Sequence, residues 1–238
     1  MSPTGWGEKS GGLPVLEAQK PKTITTQAME QIRQLIFDGE LAAGSDHLES
    51  ELADRLGMSR TPVREATLML AQQGLLEVRP RKGVRIATLS LKDMEEIYAV
   101  LTELEALAAE EAAKAGYSDE DLGALKQAIE AMEDALARED REAWALADNA
   151  FHDELVRLGG NSRVQSIVSM MSNQVRRARA MTLYIRPLPV KSNEDHRAVF
   201  DAIRKGEAAL ARERHRSHRQ DAREVLIELL KKHKLFHL

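Results

Sequence analysis

At 238 residues, 43% of them hydrophobic, the chain has material for one large domain or two smaller ones; with only 4% aromatics and abundant Ala, Leu and Glu it favours helix over sheet. A net charge of −4 gives no global basic field for nucleic acid, and the absence of cysteine removes disulfides, thiol catalysis and Cys-ligated zinc, as suits a cytoplasmic protein. Apolar runs too short for a bilayer, and no charged-then-apolar leader at the start, argue against membrane partners and secretion.

Residues 1–21 hold four glycines and three prolines with no apolar period, so they read as a disordered tail. A helix is expected from about Thr26, with Ala28, Ile32, Leu35 and Ile36 on one face and Asp38-Gly39 at its end. A short second helix, about Glu49 to Leu56, places Leu52, Ala53 and Leu56 inward, and Gly57-Met58-Ser59 reads as a tight turn. A third helix is expected near Thr61, with Thr61 as cap, Pro62 in the first turn and Gly74 as stop. Leu76 and Val78, then Val84 and Ile86 beyond the turn Pro80-Arg81-Lys82-Gly83, alternate as the two strands of a hairpin. Three helices and a hairpin over residues 22–88 make a winged helix-turn-helix.

From Ser90 the pattern is helical throughout. Six helices are expected over about 91–115, 118–137, 139–158, 162–186, 191–205 and 207–232. Their caps are Ser90, Ser118 and Ser162, and their stops Gly116, Gly159, Gly206 and the Pro187/Pro189 pair. The fold class is therefore mainly α: an N-terminal winged helix-turn-helix joined through Thr88-Leu89 to an all-α bundle at 90–238.

The second helix of a helix-turn-helix enters the major groove N-terminus first, so residues of its first turn meet base edges and phosphates. Arg60, Thr61 and Arg64 are placed for that contact, arginine offering a fork to guanine and a permanent charge to phosphate. At the wing, Arg79, Arg81, Lys82 and Arg85 follow one another with no acid between them, which suits contact with the DNA backbone or minor groove. Nine basic and nine acidic residues lie between Lys22 and Thr88, so distribution decides: the acids gather upstream and the bases surround the third helix and wing.

The run LESELADRLGMSRTPVREATLMLAQQGLL, followed by RPRKGVRI, resembles the N-terminal domain of GntR-type bacterial transcription regulators. The resemblance implies that Arg60, Thr61 and Arg64 contact double-stranded operator DNA, with Arg81, Lys82 and Gly83 at the wing tip. Ser50 departs from it, standing where arginine often touches DNA.

In the bundle, Asp148 and His152 lie four apart on one helix face, while His196, His215 and His218 come from later helices. One carboxylate and several imidazoles could converge on a divalent ion, although such a spacing by itself more often marks a surface pair. DNAFHDELVRLGGN and DHRAVFDAIRKGEAALARERHRSH resemble the ligand-binding domain of the FadR/FCD branch of GntR proteins. That resemblance implies a metal held by Asp148, His152, His196 and His218, with His215 one turn earlier at a position normally apolar and outside the set. Zn²⁺ or Ni²⁺ suits imidazole-rich ligation.

A second departure is Leu101, which replaces an arginine often supposed to hold a ligand carboxylate. Glu105, on the same apolar face, then needs a partner, and an ion pair inside the domain is expected. The anchor for an acidic effector would come from the metal or from Arg176, Arg177 or Arg179. The expected function is a homodimeric, ligand-responsive regulator, a repressor taking a small organic acid. A metal sensor is the alternative, and a metal-dependent hydrolase the weaker one. Four protein ligands and no nucleophile elbow or phosphate loop argue against an enzyme.

Overall fold

The computed structural model describes residues 23–235, so the expected tail at 1–21 lies outside the described residues. Helix α1, Ile24–Phe37, begins where Thr23 Oγ1 accepts from the Thr26 amide at 3.1 Å, and it buries Ala28, Met29, Ile32 and Ile36. Helix α2, Glu49–Leu56, ends on Gly57 and buries Leu52 and Ala53. Helix α3, Arg60–Gln72, buries Val63, Ala66, Thr67 and Leu70 against both, while Leu68 is exposed. Its N-cap is Ser59 rather than Thr61. The first turn of a helix leaves its amides unpaired, so Pro62 is tolerated at any position there and does not fix the start.

The hairpin forms as β2, Leu76–Arg79, and β3, Gly83–Ile86, paired Leu76 to Ile86 and Val78 to Val84. A third strand, β1 at Asp46–His47, joins the far edge of β3 to give the antiparallel order β1-β3-β2. It has no signal in the sequence, because two residues are too few to set a period.

Six bundle helices follow, as expected: α4 Leu91–Lys114, α5 Gly123–Ala137, α6 Arg141–Leu158, α7 Ser162–Met181, α8 Val190–Arg204 and α9 Ala208–Lys232. Ser90 caps α4 reciprocally with Asp93. Ser118 and Asp121 make the same exchange, but the chain turns once more before α5 begins. Asn161 rather than Ser162 caps α7, its Oδ1 accepting two amides. That helix stops at Met181, ahead of Pro187, since Leu183 and Ile185 already bond three residues back in tighter turns.

Gly159 owes its place to packing: a Cβ there would meet Ala108 Cα at 2.7 Å, so α6 can end against α4 only without a side chain. Helix α4 packs against α6, α7, α8 and α9 and so runs through the middle of the bundle. On one side Leu125, Ile129, Phe151, Leu155 and Val199 form a core; on the other, Met94, Leu101, Val168, Val175 and Leu226 form another.

Candidate functional site

Arg60, Thr61 and Arg64 stand exposed on the outer face of the first turns of α3, opposite the buried Val63, Ala66 and Leu70. The acid beside them is engaged elsewhere, since Thr25 Oγ1 donates to Glu65 at 2.7 Å. At the wing, Asp46 on β1 reaches Arg79 at 3.5 Å and Arg85 at 4.0 Å. The acid-free run of bases is thus acid-flanked in space, and Arg81 and Lys82 remain as its exposed tip. Among the described residues, Arg60, Arg64, Arg81 and Lys82 make no ion pair. Gly83, with φ +80°, sits where a Cβ would run into the backbone carbonyl of His47.

The bundle brings Asp148 and His152 of α6, His196 of α8 and His218 of α9 to one buried point. Nitrogens of His152, His196 and His218 lie within 4.8 Å of one another, and Asp148 Oδ1 is 3.8 Å from His152 Nε2 and 3.7 Å from His196 Nε2. Both nitrogens of His196 and Asp148 Oδ1 are buried without a hydrogen-bond partner. Inward polar atoms left unpaired at this depth are costly, and a borderline divalent ion would satisfy them, so the donor set fits one.

Burial and neighbouring His218 push His196 well below the ordinary imidazole value, and burial lowers His218 against the pull of Asp195. Burial opposes the charge on Asp148, yet Arg179 at 2.7 Å, with His152 and His196, holds the carboxyl far below its ordinary range. Neutral imidazoles beside a carboxylate are the protonation states that metal ligation requires.

A second set shares His152. Glu105 Oε2 lies 3.0 Å from His215 Nε2 and 2.9 Å from His152 Nδ1, while Arg219 stands 3.5 Å from Oε1. The expected partner of Glu105 is therefore inside the domain. The family resemblance set His215 aside, and it lies apart from the Asp148 group, but it forms the wall of the same cluster. Its position three residues before His218 and four before Arg219 was the available cue.

Of the three candidate effector arginines, only Arg179 faces this region. Arg176 pairs with Asp153, with both oxygens at 2.6 Å, and Arg177 donates to the Ala87 carbonyl. Arg186 and Arg219 were not anticipated. Burial, then Arg179 beside it, lowers Arg186 to about 10; its Nη2 has no partner, nor has the buried Tyr98 hydroxyl, whose ring lies under Arg219. A surface recess of about 400 Å³ between α5 and α8 is lined by Asn193, Glu133 and Arg197, one turn from His196, and the histidines do not open into it.

Two stretches of the chain match known protein families. Residues 24–86 match the family described as bacterial regulatory proteins, gntR family, and residues 96–221 match the FCD domain. The chain belongs to the GntR family, with an FCD domain.

An HTH-type regulator from an unstable DNA locus of Streptomyces ambofaciens is 33% identical over 79% of this chain and 78% of its own. A protein named as a probable D-xylose utilization operon transcriptional repressor, from Paenarthrobacter nicotinovorans, is 33% identical over 79% and 82%. The solved structure of Escherichia coli McbR/YncC shares the fold, with TM-score 0.74 and 21% identity over 87% of this chain and 99% of that one. This GntR/FCD protein is thus a DNA-binding transcription regulator and not an enzyme. No helix among the described residues is long and apolar enough to cross a membrane.

In this regulator α7 touches both halves. Asn173 donates to Gln73 at 2.9 Å, at the end of α3, and Gln73 also accepts from Arg33 of α1. Arg177 holds Ala87 just past β3, while Arg179, two residues on, holds Asp148.

Proposed function

We propose that this GntR/FCD regulator is a ligand-responsive, homodimeric repressor whose bundle holds one divalent ion through Asp148, His152, His196 and His218 and takes a small carboxylate effector beside it. The observation that carries the reading is the convergence of four buried side chains from three helices with unpartnered inward atoms. When bound, the ion supplies a Lewis-acid anchor for a carboxylate. The chain's own contribution is positive charge nearby from Arg179 and the half-buried Arg186, which stand in for the arginine missing at Leu101. Arg60, Thr61 and Arg64 address the major groove and Arg81, Lys82 and Gly83 the adjacent backbone. Two heads related by a two-fold axis give the operator enough length for selectivity. The name of the Paenarthrobacter relative supports the sense of regulation.

One observation favours the ion itself as effector: Asp148 is paired with Arg179 on the helix that also grips the head, so an ion at Asp148 bears directly on α7. Elemental analysis of protein purified without chelator is expected to find close to one equivalent of Zn²⁺ or Ni²⁺, and His196→Ala to lose most of it, while chelation lowers Tm. Operator titrations with chelator alone, and with citrate or succinate added, separate ion from acid as effector. Metal-free protein whose Tm no added ion raises would overturn the metal reading, and sedimentation showing monomer with and without operator DNA would overturn the dimer.

A further inference from the structure

Asp148 and Glu105 are buried carboxylates built alike, each giving one oxygen to an arginine and the other to imidazoles. His152 lies between them, Nδ1 facing Glu105 at 2.9 Å and Nε2 facing Asp148 at 3.8 Å. We propose that Glu105 is the positioning residue of the cluster, its Oε2 accepting from His152 Nδ1–H and His215 Nε2–H and so fixing the tautomer of both rings.

A carboxylate oxygen offers only acceptor sites, so both imidazole nitrogens that face it must carry hydrogen. A neutral imidazole has one N–H; placing it on Nδ1 leaves the lone pair of His152 on Nε2, directed to the side where Asp148, His196 and His218 meet. Bulk solvent does not reach Glu105 or His215, which are 1% and 0% exposed. Arg219 balances the carboxylate's charge, so Glu105 needs no cation beyond it. The His152 contact is within hydrogen-bond distance but poorly aligned, so His215 makes the better-formed of the two bonds. Orientation of a ligating histidine by an outer carboxylate ordinarily changes metal affinity 10–100-fold when removed. Glu105 with His152 and His215 offers one imidazole fewer than the Asp148 side, which makes it the weaker ligand set and the better support.

The tautomers are independent of any ion; only the affinity consequence rests on the metal reading above. Long-range ¹H–¹⁵N spectra of chelator-treated, His-labelled protein at about pH 7.5 are expected to show His152 protonated on Nδ1 and His215 on Nε2. Glu105→Gln is expected to disturb both while leaving His196 unmoved, and to weaken Co²⁺ binding about 10–100-fold with shifted d–d bands. Should that variant not fold, His215→Met decides: it keeps His152 in the Nδ1–H form, because Glu105 still faces it. A wild-type His152 protonated on Nε2, or unchanged spectra in Glu105→Gln, overturns the proposal. Complete loss of Co²⁺ binding in Glu105→Gln overturns it too, by making Glu105 a ligand. A wild type that takes up no Co²⁺ refutes the metal reading and leaves the tautomers to be judged by the spectra alone.

Discussion

At the scale of single residues, side chains of one type part company according to what surrounds them. Arg64 stands exposed on the face of α3 opposite the core, so Arg64→Ala is expected to weaken operator binding by about 1–3 kcal/mol with no appreciable change in Tm, read by gel-shift titration at fixed salt. Gly83 is a backbone requirement: its φ of +80° alone disfavours alanine by about 1–3 kcal/mol, and the collision with the His47 carbonyl adds to that. Gly83→Ala should therefore lower the melting temperature of the head and loosen β1 from β3, whereas Arg81→Ala should lower operator affinity only. Thermal melts of both variants distinguish the two roles. The outward placement of Arg60 and Arg64 and the turn at Gly83 were legible because helix and turn chemistry are local. Asp46 beside Arg79 and Arg85 was not, since the strand that delivers it is too short to announce itself.

At the scale of elements, α7 is where the two halves meet. Arg177 is buried and donates at 2.6 Å to the Ala87 carbonyl, while Arg179 on the same helix holds Asp148. A hydrogen bond from a charged group is worth about 1.5–3 kcal/mol, so Arg177→Ala should let the head part from the bundle more often. Limited proteolysis near Thr88-Leu89 should speed up about tenfold, and operator affinity should respond less to chelator or acid than in the wild type. Unaltered cleavage would mean that other contacts hold the joint. Helix existence followed from apolar period, yet helix ends did not: Ser59, Asn161 and the five-residue delay before α5 depend on which amide a side chain or turn captures.

At the scale of the whole molecule, the buried cluster ties stability to pH. His196, His215 and His218 are all held below their ordinary value by burial, His215 at about 3, with Glu105, Asp148, Arg179 and Arg219 facing them. The unfolded chain therefore binds more protons than the folded one below about pH 6.5. This contribution is complete above about 6.5 and is lost as pH falls toward the folded values. Glu105 and Asp148, also lowered, add their loss only below the ordinary carboxylate range. For His215 alone the decrease is about 2 kcal/mol by pH 5. Chelator-treated protein should show Tm falling steadily between about pH 7 and 5, and less steeply in His215→Met. A flat profile would mean that the imidazoles are hydrated.

The sequence by itself determined the two halves, the six-helix bundle, the hairpin and the residues that face outward from α3, because each follows from apolar period, turn chemistry or capping within a few neighbours. It also named Asp148, His152, His196 and His218, through a resemblance to known regulators. Only the tertiary structure decided that Glu105, His215 and Arg219 complete the cluster, and that Arg176 and Arg177 turn away from it. The reason is that α4, α6, α7, α8 and α9 meet across long separations, 110 residues between Glu105 and His215, and no local pattern encodes which buried charges share an interior.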